Sequence, residues 1–171
     1  MKKVIVATIA VVALGLWACD LLGGNYCVSN TCTCPKGETC AMTCETGDCS
    51  AVCAADSDCT LDCSKSESCN MVCSGAKSCK TTCQGGGECN VECGTTPTCD
   101  ATCGAGGNCN VECNGATSCQ VGCETAEVCQ ATCPATGCTV KACDTTNVAA
   151  CKVTCGTSGT ATQSGADAVC Q

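Results

Sequence analysis

Twenty-nine cysteines in 171 residues set the chemistry open to this chain. Thiols at that density can hold soft metal ions as thiolates, attack as nucleophiles, or pair into disulfides, and their spacing discriminates among the three. Thiolate metal sites rely on C-x-C and C-x-x-C, which place two sulfurs on one ion. Here C-x-x-C is absent and C-x-C occurs once, at Cys32 and Cys34. A cysteine nucleophile needs a neighbouring base, but the chain has no His, no Arg and no G-x-S-x-G or comparable nucleophile motif. The cysteines therefore read as a disulfide framework. No enzymatic activity, cofactor or metal site is expected.

The elements that position these sulfurs show in the period. From Cys49 to Cys133, Cys recurs at every tenth residue in two series, 49 to 129 and 53 to 133, giving nine C-x-x-x-C segments separated by five-residue spacers. The residue midway between the paired Cys is Ala51, Leu61, Met71, Thr81, Val91, Ala101, Val111, Val121 or Ala131, mostly small or apolar. Its flanks are mostly polar, as in Thr60 and Asp62, Asn90 and Glu92, and Asn110 and Glu112. This alternation predicts a short strand with Cys, apolar, Cys facing inward. The spacers, such as SGAKS and NGATS, carry turn chemistry.

Along a strand, residues four apart are separated by about 13 Å, whereas a disulfide needs its Cα atoms within about 7 Å. The two Cys of one segment thus cannot bond to each other, and the bonds must cross the spacers. The simplest scheme joins Cys53 to Cys59, Cys63 to Cys69, Cys73 to Cys79, Cys83 to Cys89, Cys93 to Cys99, Cys103 to Cys109, Cys113 to Cys119 and Cys123 to Cys129. A short fixed period means one unit stacked on copies of itself. The expected fold is all-β, a narrow disulfide-stapled β-solenoid of about ten-residue coils, and eleven or so coils would form a rod on the order of 50 Å. A string of small disulfide knots is the alternative. Helical hairpins would also bring residues four apart together, but the repeated Thr, Val, Asn, Asp and Gly disfavour helix. The period and sulfur-filled interior are similar in architecture to the tight solenoid antifreeze proteins of insects, although the motif and the Cys spacing differ.

Composition explains why sulfur is needed. Beyond residue 18 there is no Ile and no Trp, one aromatic (Tyr26), and Leu only at 21, 22 and 61. At roughly 25 cal/mol per Å² of buried apolar surface, such a chain cannot offset the backbone entropy of about 150 residues.

Residues 1–18 show a basic start, an apolar run from Val4 to Leu14 too short for a membrane span, and Ala18 just before Cys19. Leu16, Trp17, Ala18 and Cys19 resemble the lipobox of bacterial lipoproteins. That resemblance implies cleavage before Cys19, with diacylglycerol on its sulfur and a fatty acid such as palmitate on its amine. It leaves 28 cysteines, an even number, for pairing. Residues 19–26 then form the lipidated end and a tether, 27–48 a Cys-rich cap, 49–133 the repeat array, and 134–171 irregular coils with a tail stapled by Cys170.

Once the leader's Lys2 and Lys3 are removed, six Lys face 16 acidic residues. Such an acidic surface is ill suited to nucleic acid, which is gripped through Lys and Arg. Ice binding needs a regular uncharged face, but the column Thr60, Asn70, Lys80, Asn90, Asp100, Asn110, Gln120, Gln130 is irregular, and its neighbour contains Asp62, Glu92 and Glu112. Glu88, Glu92 and Glu112 could lie together as calcium ligands, yet no Asp recurs at a fixed place in the turns, so they read as a solvated acidic surface. The expectation is an exported rod, lipid-anchored to a membrane of the bacterial cell envelope and facing the periplasm or the exterior, with a structural or interaction role. The alternatives are a module binding a protein, glycan or cation through its acidic or amide-bearing face, and a metal-thiolate protein.

Overall fold

A computed structural model describes residues 27–85, 87–104, 107–143 and 150–171. Every regular element among them is a strand: β1 Cys27–Val28, β2 Thr31–Cys34, β3 Thr39–Thr43, β4 Asp48–Cys53, β5 Asp58–Asp62, β6 Ser68–Val72, β7 Ser78–Cys83, β8 Glu88–Glu92 and β9 Thr98–Cys103. The series continues with β10 Asn108–Glu112, β11 Ser118–Gly122, β12 Val128–Cys133, β13 Cys138–Lys141, β14 Cys151–Cys155, β15 Gly159–Thr160, β16 Thr162–Ser164 and β17 Asp167–Cys170. The chain is a β-solenoid of about six turns. Each turn is built from two ten-residue coils, and sequential disulfides staple the coils together.

Successive coils alternate between two parallel sheets. The even-numbered strands β2 to β14 stack in one, called here the amide sheet for its outward residues, and the odd-numbered strands β3 to β13 stack in the other, the hydroxyl sheet. Cys49 is therefore in register with Cys69, and Cys59 with Cys79, an offset of twenty residues. Because each layer consumes two decads, the rod is about 30 Å long at about 4.8 Å per layer, shorter than stacking every decad on the next would make it. The reason is burial. A strand's inward row must cover an apolar partner, and in a ring of only ten residues it would face the polar spacer instead. Two decads per turn lay one Cys-apolar-Cys row against another.

One contact shows the rows meeting. The Thr81 hydroxyl of β7 donates to Met71 Sδ of β6 across the interior at 2.6 Å. The side chains with less than 2% exposure include Met42, Leu61, Met71, Val91, Val111, Val121 and Val140, and the rest of the interior is largely Cys and Ala. The spacers contribute to it as well. In several of them the backbone turns tightly, with the N–H of Ser66, Ala76, Thr96 or Ala116 donating to the carbonyl of the Cys three residues earlier. The same four side chains point inward and are buried. The Ser66 hydroxyl donates to the Cys44 carbonyl and the Thr96 hydroxyl to the Cys73 carbonyl, each reaching the preceding turn. Buried hydroxyls are thereby satisfied while tying layers together. At Gly137 the backbone has φ +79°, and an added Cβ would sit 2.5 Å from the Thr117 carbonyl oxygen, so only glycine fits that corner.

Parallel stacking extends past the decad array at both ends, with β3 on β5 and β12 on β14. It then gives way to antiparallel pairs. β1 folds onto β2 through a tight turn in which Ser29 and Asn30 both have positive φ. At the other end β17 runs antiparallel to β13, β16 to β17, and β15 to β14. Cys155–Cys170 staples this tail, and the Ala142 N–H donates to Asp167 Oδ1 at 3.0 Å. Of the outermost strands, β1, β15 and β16 are only two or three residues long, and edge strands this short offer little for further strands to pair with.

Candidate functional site

The sulfurs form two ladders, one along each edge where the chain crosses between sheets. On one edge lie Cys34–Cys40, Cys53–Cys59, Cys73–Cys79, Cys93–Cys99, Cys113–Cys119, Cys133–Cys138 and Cys155–Cys170. The other holds Cys44–Cys49, Cys63–Cys69, Cys83–Cys89, Cys103–Cys109, Cys123–Cys129 and Cys143–Cys151. Cys27–Cys32 abuts the N-terminal end of this second ladder. The eight bonds proposed across the array's spacers are present, with Cα separations of 6.0 Å at Cys103–Cys109 to 6.4 Å at Cys53–Cys59. The six further bonds span five, six, eight and fifteen residues. They obey the same rule, each Cys bonding to its sequence neighbour outside its own strand or, for Cys155, to the folded-back tail. Cys19, where the lipobox resemblance leads one to expect lipidation, lies outside the described residues.

Stacking brings sulfurs of adjacent staples close, as in the groups Cys93, Cys99, Cys113 and Cys109, Cys123, Cys129, whose sulfurs lie within 4.8 Å of one another. That geometry would suit a thiolate cluster, but all these sulfurs are in disulfides. A disulfide sulfur has no thiolate charge and is neither a strong metal ligand nor a nucleophile.

The outward faces are the remaining surface on which recognition chemistry can be built. The irregular polar column read along successive decads divides between the two sheets. Asn70, Asn90, Asn110 and Gln130 are register partners on the amide sheet, while Thr60, Lys80, Asp100 and Gln120 are partners on the hydroxyl sheet. The amide column is thus regular. Beside it run Val72, Glu92, Glu112 and Thr132. Glu92 and Glu112 are adjacent, whereas Glu88 lies four residues up the same strand, about 13 Å away. Asp62 sits on the opposite sheet from both, in register with Thr82. The trio Glu88, Glu92 and Glu112 is therefore not one cluster.

The sheets also differ electrostatically. On the hydroxyl sheet each acid has a local partner. The Ser78 hydroxyl donates to Asp58 Oδ1 at 2.7 Å, Lys80 approaches Asp100 at 4.0 Å, and the Ser64 N–H donates to Asp62 Oδ1 at 2.9 Å. Hydrogen bonds from the Ser64 side chain and backbone hold the Asp62 carboxyl below its ordinary value against the opposing effect of burial, with a lesser aid from the Lys65 charge. On the amide sheet, Glu92 and Glu112 are exposed, and among the described residues neither is in an ion pair. Strands β6, β8 and β10 carry no Lys. Together Asn70, Asn90, Asn110, Glu92 and Glu112 line a shallow open depression. This is a column of amides repeating in successive layers, flanked by carboxylates in two adjacent ones, Glu92 and Glu112, and it offers hydrogen-bond donors and acceptors side by side.

No protein-family model, curated protein or solved structure matches the chain.

Proposed function

We propose that the protein is an exported rod of the bacterial cell envelope, anchored through lipid on Cys19 and tethered by residues 20–26, where it acts as a rigid structural or interaction element. The observation that carries this reading is the commitment of all 28 described cysteines to disulfides. Bonding this extensive is consistent with an extracellular or periplasmic protein. The lipobox-like Leu16 to Cys19 supplies the anchor in this reading, and the even number of cysteines left after Cys19 supports it. Bacteria expressing the chain and fed an alkyne analogue of palmitate are expected to label the wild type in the membrane pellet. Cys19→Ser is expected to lose label and pellet association together. An unlabelled, freely soluble wild type would refute the anchor.

A second reading is favoured by the amide column and its unpaired carboxylates: recognition of a protein, glycan or cation by the amide sheet. Combined Asn90→Ala and Asn110→Ala substitutions are outward and leave the interior intact. A captured envelope partner lost on these substitutions supports recognition. Envelope defects on gene deletion that the same variant fully rescues support the structural role.

A further inference from the structure

We propose that Cys27–Cys32 is a thiol–disulfide exchange site, at which the rod accepts the thiol of a cysteine or small cysteine-containing peptide as a covalent adduct on Cys27. Among the described residues Cys27 is the one cysteine that is not buried; Cys32 has no exposure. Cys27 lies on the two-residue strand β1 at the end of its sheet, where among the described strands it pairs only with β2. Partly exposed where the other described cysteines are buried, Cys27 is the cysteine most open to an outside thiolate, and access and leaving group govern such exchange.

What lies behind it gives the site its direction. Cys32 Sγ is 3.8 Å from Cys44 Sγ of the next staple. The sulfurs of Cys27, Cys32 and Cys44 all lie within 4.8 Å of one another, as do those of Cys44, Cys49 and Cys63. Attack of an external thiolate on Cys27 Sγ forms the mixed disulfide, breaks the Cys27–Cys32 bond and leaves the electron pair on Cys32 as a thiolate. That thiolate attacks Cys44 Sγ, forming Cys32–Cys44 and releasing Cys49 as thiolate. Cys49 in turn attacks Cys63 Sγ, forming Cys49–Cys63 and releasing Cys69. Each step makes one S–S bond and breaks one, so no oxidant or reductant is consumed. Passing the thiolate inward removes Cys32, the group that would otherwise expel the adduct. The incoming thiol is thereby retained.

The test treats the native mature chain briefly with reduced glutathione at neutral pH, quenches with N-ethylmaleimide and maps adducts by mass spectrometry. Glutathione is expected on Cys27 on the order of tenfold faster than at any staple between Cys53 and Cys133, with maleimide found on Cys49 or Cys69. Adducts that start elsewhere, or none at Cys27, would overturn the site. Maleimide confined to Cys32, with Cys44–Cys49 intact in every adduct, would overturn the relay. The double variant Cys27→Ala, Cys32→Ala should lose the fast adduct, and a variant with native circular dichroism that keeps it would also contradict the proposal.

Discussion

Full reduction with a phosphine in the presence of a chelator is expected to abolish the β-sheet circular dichroism of the rod without any denaturant. The interior supplies little to replace the lost bonds. Its largest fully buried side chains are one Leu, two Met and several Val, and the remaining buried positions are mainly Cys and Ala. Each staple that closes a ring of about seven residues contributes roughly 2 kcal/mol by restricting the unfolded chain. Ordering costs on the order of 1.5 kcal/mol per residue. A chain this poor in large apolar side chains has no margin once fourteen such rings open. The chelator matters because it prevents metal ions from bridging the released thiolates and rescuing order. Loss should begin at the N-terminal staple, where sulfur is accessible, and be followed by collapse of the stack.

The second large effect is expected from a single charge placed inside. Val111 is fully buried in β10, between Val91 and Ala131 in register on its own sheet. Val111→Asp would put a carboxylate among Cys, Val and Ala, where no Lys side chain is buried among the described residues. An unpaired charge in such a place costs more than about 4 kcal/mol or is neutralised by protonation at a similar penalty. Glu112→Ala, one residue on and pointing outward, should change stability by less than about 0.5 kcal/mol. Because each layer touches only its neighbours, the damage should be local. Amide exchange should rise first in β8, β10 and β12 while the staples keep the ends in place. Equal stability of the two variants would contradict the inward assignment of position 111.

Much of this architecture is legible in the sequence because strand geometry leaves little choice. The C-x-x-x-C alternation sets which side chains face inward, and the length of a strand sends the disulfides across the spacers. The number of decads per turn is less accessible, since both sheets carry the same inward pattern and Cys cannot distinguish them. The signal sits in the outward residues. Asn70, Asn90 and Asn110 recur at every second decad, while Lys80 and Asp100 interrupt them, and that twenty-residue period marks two faces. Read as one column, the series is irregular; divided between sheets, it yields the amide face. The inward turn of Ser66, Ala76, Thr96 and Ala116 is hidden for a different reason. Small residues in a Gly-rich spacer look like turn chemistry whether or not they are buried. The antiparallel strands at the ends follow from contacts between distant segments, which irregular spacing after Cys133 does not encode locally.

Disulfide mapping of the purified chain after non-reducing digestion tests most directly whether local staples hold a two-sheet stack together. The expected product set links each cysteine from Cys27 to Cys151 to its sequence neighbour across a spacer, with Cys155 joined to Cys170. Free thiols throughout the array, or bonds joining Cys53 to Cys63 or linking distant decads, would contradict it.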